Sequence, residues 1–130
     1  MASPLAGRII LVVEDEVLIA TDLERTLADA GAHVVAATTA AEAIGLLEDW
    51  AWAGAVLDYA LSDANCDPIC EWMIERGIPF VLYTGRTETS EIARMGTLVM
   101  KPASSDEVVR IMAELVSGNF HLTVEGEQTR

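Results

Sequence analysis

Short apolar runs rich in Val, Ile and Leu recur along this chain, and between them the apolar residues change to helical spacing. The runs are "RIILVVE", "HVVAAT", "AGAVLD", "PFVLYT" and "TLVM". A strand that is apolar at nearly every position has both faces buried, and helices between such strands return the chain over a parallel sheet. The alternation therefore predicts an α/β, doubly wound fold built from five βα units. The near-continuous first run, "RIILVVE", is of the type that helices cover on both faces.

The intervening segments carry helix signals. After Glu16, residues Ile19, Leu23, Leu27 and Ala30 recur at helical spacing, and Gly31 stands at the C-cap. Thr39 and Glu42 form a capping box ahead of an apolar face of Ala43, Ile44 and Leu47. Asp67 and Pro68 offer an N-cap and a first-turn proline to a third helix that ends at Gly77. The segment "GRTETSEIARMG" leaves room for only about two helical turns, so the fourth helix should be shortened. Ser104 and Glu107 make a second capping box, opening a helix that presents Val108, Ile111, Met112 and Leu115 and stops near Ser117. The chain thus divides into an N-terminal extension over 1–7, a single domain over 8–117 and a tail over 118–130. In that tail Phe120, Leu122 and Val124 alternate, but the reading adopted is an untethered polar terminus.

Charge narrows the function classes. The 130 residues carry 21 acidic against 8 basic side chains, a net charge of −13, which works against phosphate backbones and anionic membranes. No apolar run approaches the roughly 20 residues of a membrane helix, and "EDE" follows the first apolar run where a secretory signal would have its cleavage site. A cytoplasmic protein that binds neither nucleic acid nor membrane is expected. Cys66 and Cys70 then read as small buried side chains; zinc would need two more ligands, and His33 and His121 lie far off. Trp50, Trp52 and Trp72 read as packing residues.

In an open α/β sheet the loops at the carboxyl ends of the strands converge on one crevice. The first strand delivers Glu14, Asp15 and Glu16, the third Asp58, the fourth Thr84 and Gly85, and the fifth Lys101 and Pro102. Each has an ordinary role by itself: Asp58 could cap a loop, Asp15 a helix, and Thr84 could bond to backbone. Together, Glu14, Asp15 and Asp58 repel one another in a partly dry crevice, and a hard divalent cation such as Mg²⁺ relieves that repulsion most directly. Asp58 then suits nucleophilic attack on phosphorus, with Lys101, Mg²⁺ and the Thr84 hydroxyl neutralising charge on the phosphoryl oxygens. Gly85 leaves that group room.

The segments "ILVVEDE", "AVLDYAL", "VLYTG" and "VMKP" resemble, in order, the four signature segments of bacterial response-regulator receiver domains. The resemblance spans about Arg8 to Ser117. It implies a flavodoxin-like (βα)5 fold with a parallel sheet of order 2-1-3-4-5. It makes Asp58 the phosphoacceptor, Thr84 the switch hydroxyl and Lys101 the phosphate-binding lysine. It also assigns Mg²⁺ to Glu14, Asp15, Asp58 and the backbone carbonyl of Ala60, and a cis peptide to Lys101–Pro102. "IPFVLYTG" is similar to the "FATGUY" segment of stand-alone receivers that accompany HWE-type histidine kinases. The "YTGR" turn lacks the tyrosine of that subgroup and the loop after Asp58 lacks the commoner proline, and two further departures bear on mechanism. Leu98 replaces a mobile aromatic, and Ala60 offers no polar group to hold an attacking water, which predicts a long-lived phosphoryl form. The function expected is a single-domain response regulator rather than an enzyme, phosphorylated by a sensor histidine kinase or phosphotransfer protein. It would signal by protein contact or serve as a relay or sink, and a homodimer stays open. The alternatives are a small Mg²⁺-dependent aspartate-nucleophile phosphohydrolase, for which Ala60 supplies no second acid or base, and an FMN protein, for which the first loop lacks Ser, Thr and Gly.

Overall fold

The computed structural model describes residues 3–118. Five strands, β1 (Ile9–Val13), β2 (His33–Ala37), β3 (Gly54–Leu57), β4 (Phe80–Thr84) and β5 (Thr97–Met100), form one sheet of order β2-β1-β3-β4-β5. Every pairing is parallel. Four helices complete the fold: α1 (Val17–Asp29), α2 (Ala40–Leu46), α3 (Asp67–Glu75) and α4 (Ser105–Ser117). The tail reading, including Phe120, Leu122 and Val124, falls outside the described residues.

The continuous apolar character of β1 follows from the strand's period of two. Ile10 and Val12 enter a core layer with Leu23 and Leu27 of α1 and Val108 and Met112 of α4. Leu11 and Val13 enter the opposite layer with Ala43 of α2 and Ile69 and Met73 of α3. Each fully buried Leu or Ile contributes about 1.5–3 kcal/mol, so the two layers together hold the sheet rigid. Leu5, in the segment that precedes β1, is also fully buried in the first layer, and its amide donates to the Ala30 carbonyl. No helix among the described residues is long and apolar enough to cross a membrane.

Several local expectations are corrected. The connection from β4 to β5 contracts beyond two helical turns to the single 3-10 turn Ala93–Met95. Its Ser90 hydroxyl accepts from the Ala93 amide and donates to the Asp67 carboxylate, anchoring the segment to α3 instead of letting it coil further. With so little helix over it, the edge strand β5 leaves Leu98 47% and Met100 39% exposed. Asp67 is therefore not the N-cap of α3; Cys66 holds that position and Asp67 is the first helical residue. Ile44 is exposed, because α2 is one short stretch that turns Ala40 and Ala43 inward. At α4 the Ser104 hydroxyl accepts from the Glu107 amide as expected, but the Glu107 side chain turns outward to Arg110.

The remaining sequence readings fall into place around this frame. Thr39 accepts from the Glu42 amide, and Glu42 reaches back to the Thr38 amide. Gly31 and Gly77 take positive φ just past the ends of α1 and α3, where a side chain would be strained. Cys66 and Cys70 are buried free thiols with their sulfurs 3.5 Å apart. Burial and the Cys70 contact push the Cys66 thiol up, Cys70 foremost, so it stays protonated. Trp52 is buried with its indole N–H on the Leu47 carbonyl, and Arg76 lies over the Trp72 ring.

Candidate functional site

Parallel register brings the strand ends level. Val13 is opposite Leu57, Leu57 opposite Leu82, and Thr84 opposite Met100. The ladder then continues one residue beyond the strands: Asp58 N–H donates to the Val13 carbonyl, Glu14 N–H to Ala37 and Lys101 N–H to Thr84. Backbone hydrogen bonds thus fix the four side-chain-bearing positions before their side chains interact.

Asp58 ends a core strand in a charge because Lys101 reaches across to meet it. The Lys101 ammonium donates to Glu14 Oε1 at 2.9 Å, Glu16 Oε1 at 3.1 Å and Asp58 Oδ2 at 3.2 Å. Lysine has three donors, and all are engaged by carboxylates. Burial alone would lower the Lys101 pKa, but the hydrogen bond to Glu14 and the charges of Asp58 and Glu14 outweigh it and raise it. Glu14 and Asp58 are both buried. Desolvation, with Asp58 adding repulsion, pushes the Glu14 carboxyl up from 4.5 to about 7, even though Lys101 and the Glu16 amide pull it down.

Glu14, Asp15 and Asp58 each present a carboxylate oxygen within 4.8 Å of the others. One ammonium does not balance three carboxylates, and the charge of Asp58 adds to burial in raising the Glu14 carboxyl. An all-oxygen, over-negative donor set is what Mg²⁺ or another hard divalent cation takes, so the residues fit such an ion. Asp15 lines a cleft of about 320 Å³ with Asp58, Ala60, Thr84, Arg86 and Lys101. Thr84 is fully buried, and its Oγ1 accepts from the Arg86 amide at 3.2 Å, which leaves the hydroxyl hydrogen available. The Lys101–Pro102 peptide is cis.

All the sequence-derived candidates, Glu14, Asp15, Asp58, Ala60, Thr84 and Lys101, therefore meet at one end of the sheet. Sequence reasoning brought Glu16 to the same strand end but gave it no role, and the structure makes it the third partner of Lys101. It missed Tyr83, whose hydroxyl donates to the Ala103 carbonyl at 2.6 Å beneath the Lys101 side chain. A wider, more apolar groove of about 540 Å³ adjoins the site between α1 and the start of α4, lined by Leu18, Ile19, Tyr83 and Ser105.

No protein-family model and no curated protein matches the chain. Solved structures do. A Francisella response regulator receiver domain is 18% identical with a TM-score of 0.74, covering 88% of this chain and 100% of that one. A CheY-like receiver domain protein from Methanospirillum hungatei is 21% identical with a TM-score of 0.74, covering 86% and 95%. The N-terminal domain of a response regulator/sensory box/GGDEF protein from Carboxydothermus hydrogenoformans is 25% identical with a TM-score of 0.70, covering 88% and 100%. These structural neighbours are response-regulator receiver domains. The chain shares their flavodoxin-like fold, a parallel sheet of order 2-1-3-4-5.

Proposed function

We propose that this chain is a response-regulator receiver that accepts a phosphoryl group on Asp58. The observation that carries the reading is the Asp58 carboxylate, buried at the end of a central strand, within 4.8 Å of Glu14 and Asp15 oxygens and 3.2 Å from the Lys101 ammonium. An Asp58 oxygen attacks phosphorus, the bond from phosphorus to the leaving group breaks, and the leaving group departs with the electron pair. From a phosphohistidine donor that group is imidazole; from acetyl phosphate it is acetate. Lys101 passes from the carboxylate to the phosphoryl oxygens, and the Thr84 hydroxyl turns its hydrogen toward one of them. Glu14, Asp15, Asp58 and the Ala60 carbonyl would hold Mg²⁺, which when bound supplies further neutralisation of phosphoryl charge.

The donor is a sensor histidine kinase or a phosphotransfer protein. The segment "IPFVLYTG" favours an HWE-type kinase within that class. The output is protein contact or phosphate relay, and the chemistry is self-catalysed phosphotransfer followed by hydrolysis, in which water releases inorganic phosphate and restores the Asp58 carboxylate. Incubation with acetyl phosphate and Mg²⁺, followed by intact mass, tests the reading. One added phosphate in the wild type and none in Asp58→Ala is expected; an unmodified wild type, or a modified Asp58→Ala, would overturn it.

A further inference from the structure

The loop that leaves Asp58 folds back on itself. Ala60 and Asn65 form an antiparallel bridge, the Leu61 amide donates to the Ala64 carbonyl, and the Cys66 amide donates to the Tyr59 carbonyl. Ala60 thereby sits at the base of a small hairpin, on the rim of the phosphoacceptor cleft. Asp63 sits toward its tip, and there it leaves its own neighbourhood. Its Oδ1 accepts from the Ala40 amide at 2.9 Å and its Oδ2 from the Ala41 amide at 3.0 Å, the first two amides of α2.

The start of α2 is already served from nearby, since Thr39 accepts from the Glu42 amide. Thr39 and Asp63 together satisfy the orphan donors of the first turn, one from within the helix's own sequence and the other from the loop after the phosphoacceptor. The two contacts differ in what they restrain. Thr39 holds only α2, whereas Asp63 holds α2 and the loop together. These two amide bonds also hold the Asp63 carboxyl below its usual range, as expected of a carboxylate that accepts them in its charged form.

We propose that Asp63 is a positioning residue for the phosphoacceptor site: by seating the loop on α2 it fixes the Ala60 carbonyl at the rim of the acidic cluster. The proposal rests on the reading of that cluster as a divalent-cation site. A hairpin held only at its base pivots about that base, and a second anchor at its tip removes the pivot. Outer groups that orient a ligand commonly change metal affinity by about 10–100-fold when removed, without touching the ion themselves.

The test uses the whole chain, as wild type, Asp63→Ala, Asp63→Asn and Thr39→Ala, with two readouts. Hydrogen exchange of the amides over 59–66 is followed without metal, and Mg²⁺ affinity is measured by calorimetry. Asp63→Ala is expected to speed loop exchange and to weaken Mg²⁺ binding by about tenfold or more. Asp63→Asn, which retains one acceptor oxygen, should fall between it and the wild type. Thr39→Ala removes a cap from the same helix and should lower its stability while leaving loop exchange and Mg²⁺ affinity as in the wild type. Unchanged loop exchange and affinity in Asp63→Ala, or equal losses in Thr39→Ala, would reduce Asp63 to a helix cap and overturn the proposal. A wild type that ignores Mg²⁺ would instead overturn the metal reading, and the positioning role with it.

Discussion

At the scale of single residues, the site is an electrostatic imbalance held in place by backbone. Lys101 faces Glu14, Glu16 and Asp58, with Asp15 close by. Removing one partner of such a buried cluster leaves an uncompensated charge, which makes the arrangement costly to alter and sensitive to whatever else enters it. Glu14 is the gauge. Its carboxyl, raised by burial and by Asp58 to about 7 from 4.5, binds a proton more tightly in the folded chain than in the unfolded one. The native state therefore holds more protons across that window, and stability falls as pH rises through it. Lys101, with its pKa raised, stays charged throughout and adds no slope there. Metal-free protein is thus expected to melt several degrees lower at about pH 8 than at about pH 5, with Glu14→Gln losing most of the difference. A wild-type melting temperature that is level, or that rises with pH, would contradict the assignment. These residues were legible in the sequence because each follows a strand that is apolar to its last position. The contacts of Lys101 with Glu16 and Tyr83 were not, because they come from the path of Lys101 across the site, which no local pattern encodes.

At the scale of elements, the strands were legible almost to the residue and the connection after β4 was not. Strand periodicity is enforced by core contacts on both faces, whereas residues 85–96 are governed by long-range partners. Ser90 is tied to Asp67 across the fold, and that bond arrests the segment at one 3-10 turn. Gly96 completes the arrest. It follows the turn at the point where the ring of Phe80, in β4, lies against the backbone, and a Cβ placed on Gly96 would overlap that ring. Phe80 is buried among residues of the α3-side core, so its ring has little freedom to yield. Gly96→Ala should therefore destabilise the protein by about 1–3 kcal/mol in denaturant melts, although alanine suits the extended φ of −81° there. A variant as stable as the wild type would show that the Phe80 ring can move aside. The same reduction in helix leaves Leu98 and Met100 of β5 exposed, so the outer edge of the sheet differs most from the regular βα pattern that the sequence announces.

At the scale of the whole molecule, alternation of strand and helix delivers the chemistry. Because β1 lies between β2 and β3, the chain turns in opposite directions from it, and a crevice opens beyond its carboxyl end. Glu14 and Asp15 stand there, and parallel register brings Asp58, Thr84 and Lys101 to the same level. The tether from Asp63 to α2 was invisible in sequence, because it spans 22 and 23 positions and obeys no periodicity. The overall charge of −13 works against binding to the phosphate backbone of nucleic acid. The function proposed for the site requires that the phosphoryl group come to rest on Asp58. Phosphorylation with acetyl phosphate and Mg²⁺, followed at once by borohydride reduction and peptide sequencing by mass spectrometry, reads this directly. An acyl phosphate is reduced to an alcohol, so homoserine at position 58, absent when acetyl phosphate is omitted, is the result predicted. Reduction at Glu14 or Asp15, or at no carboxylate at all, would contradict the account.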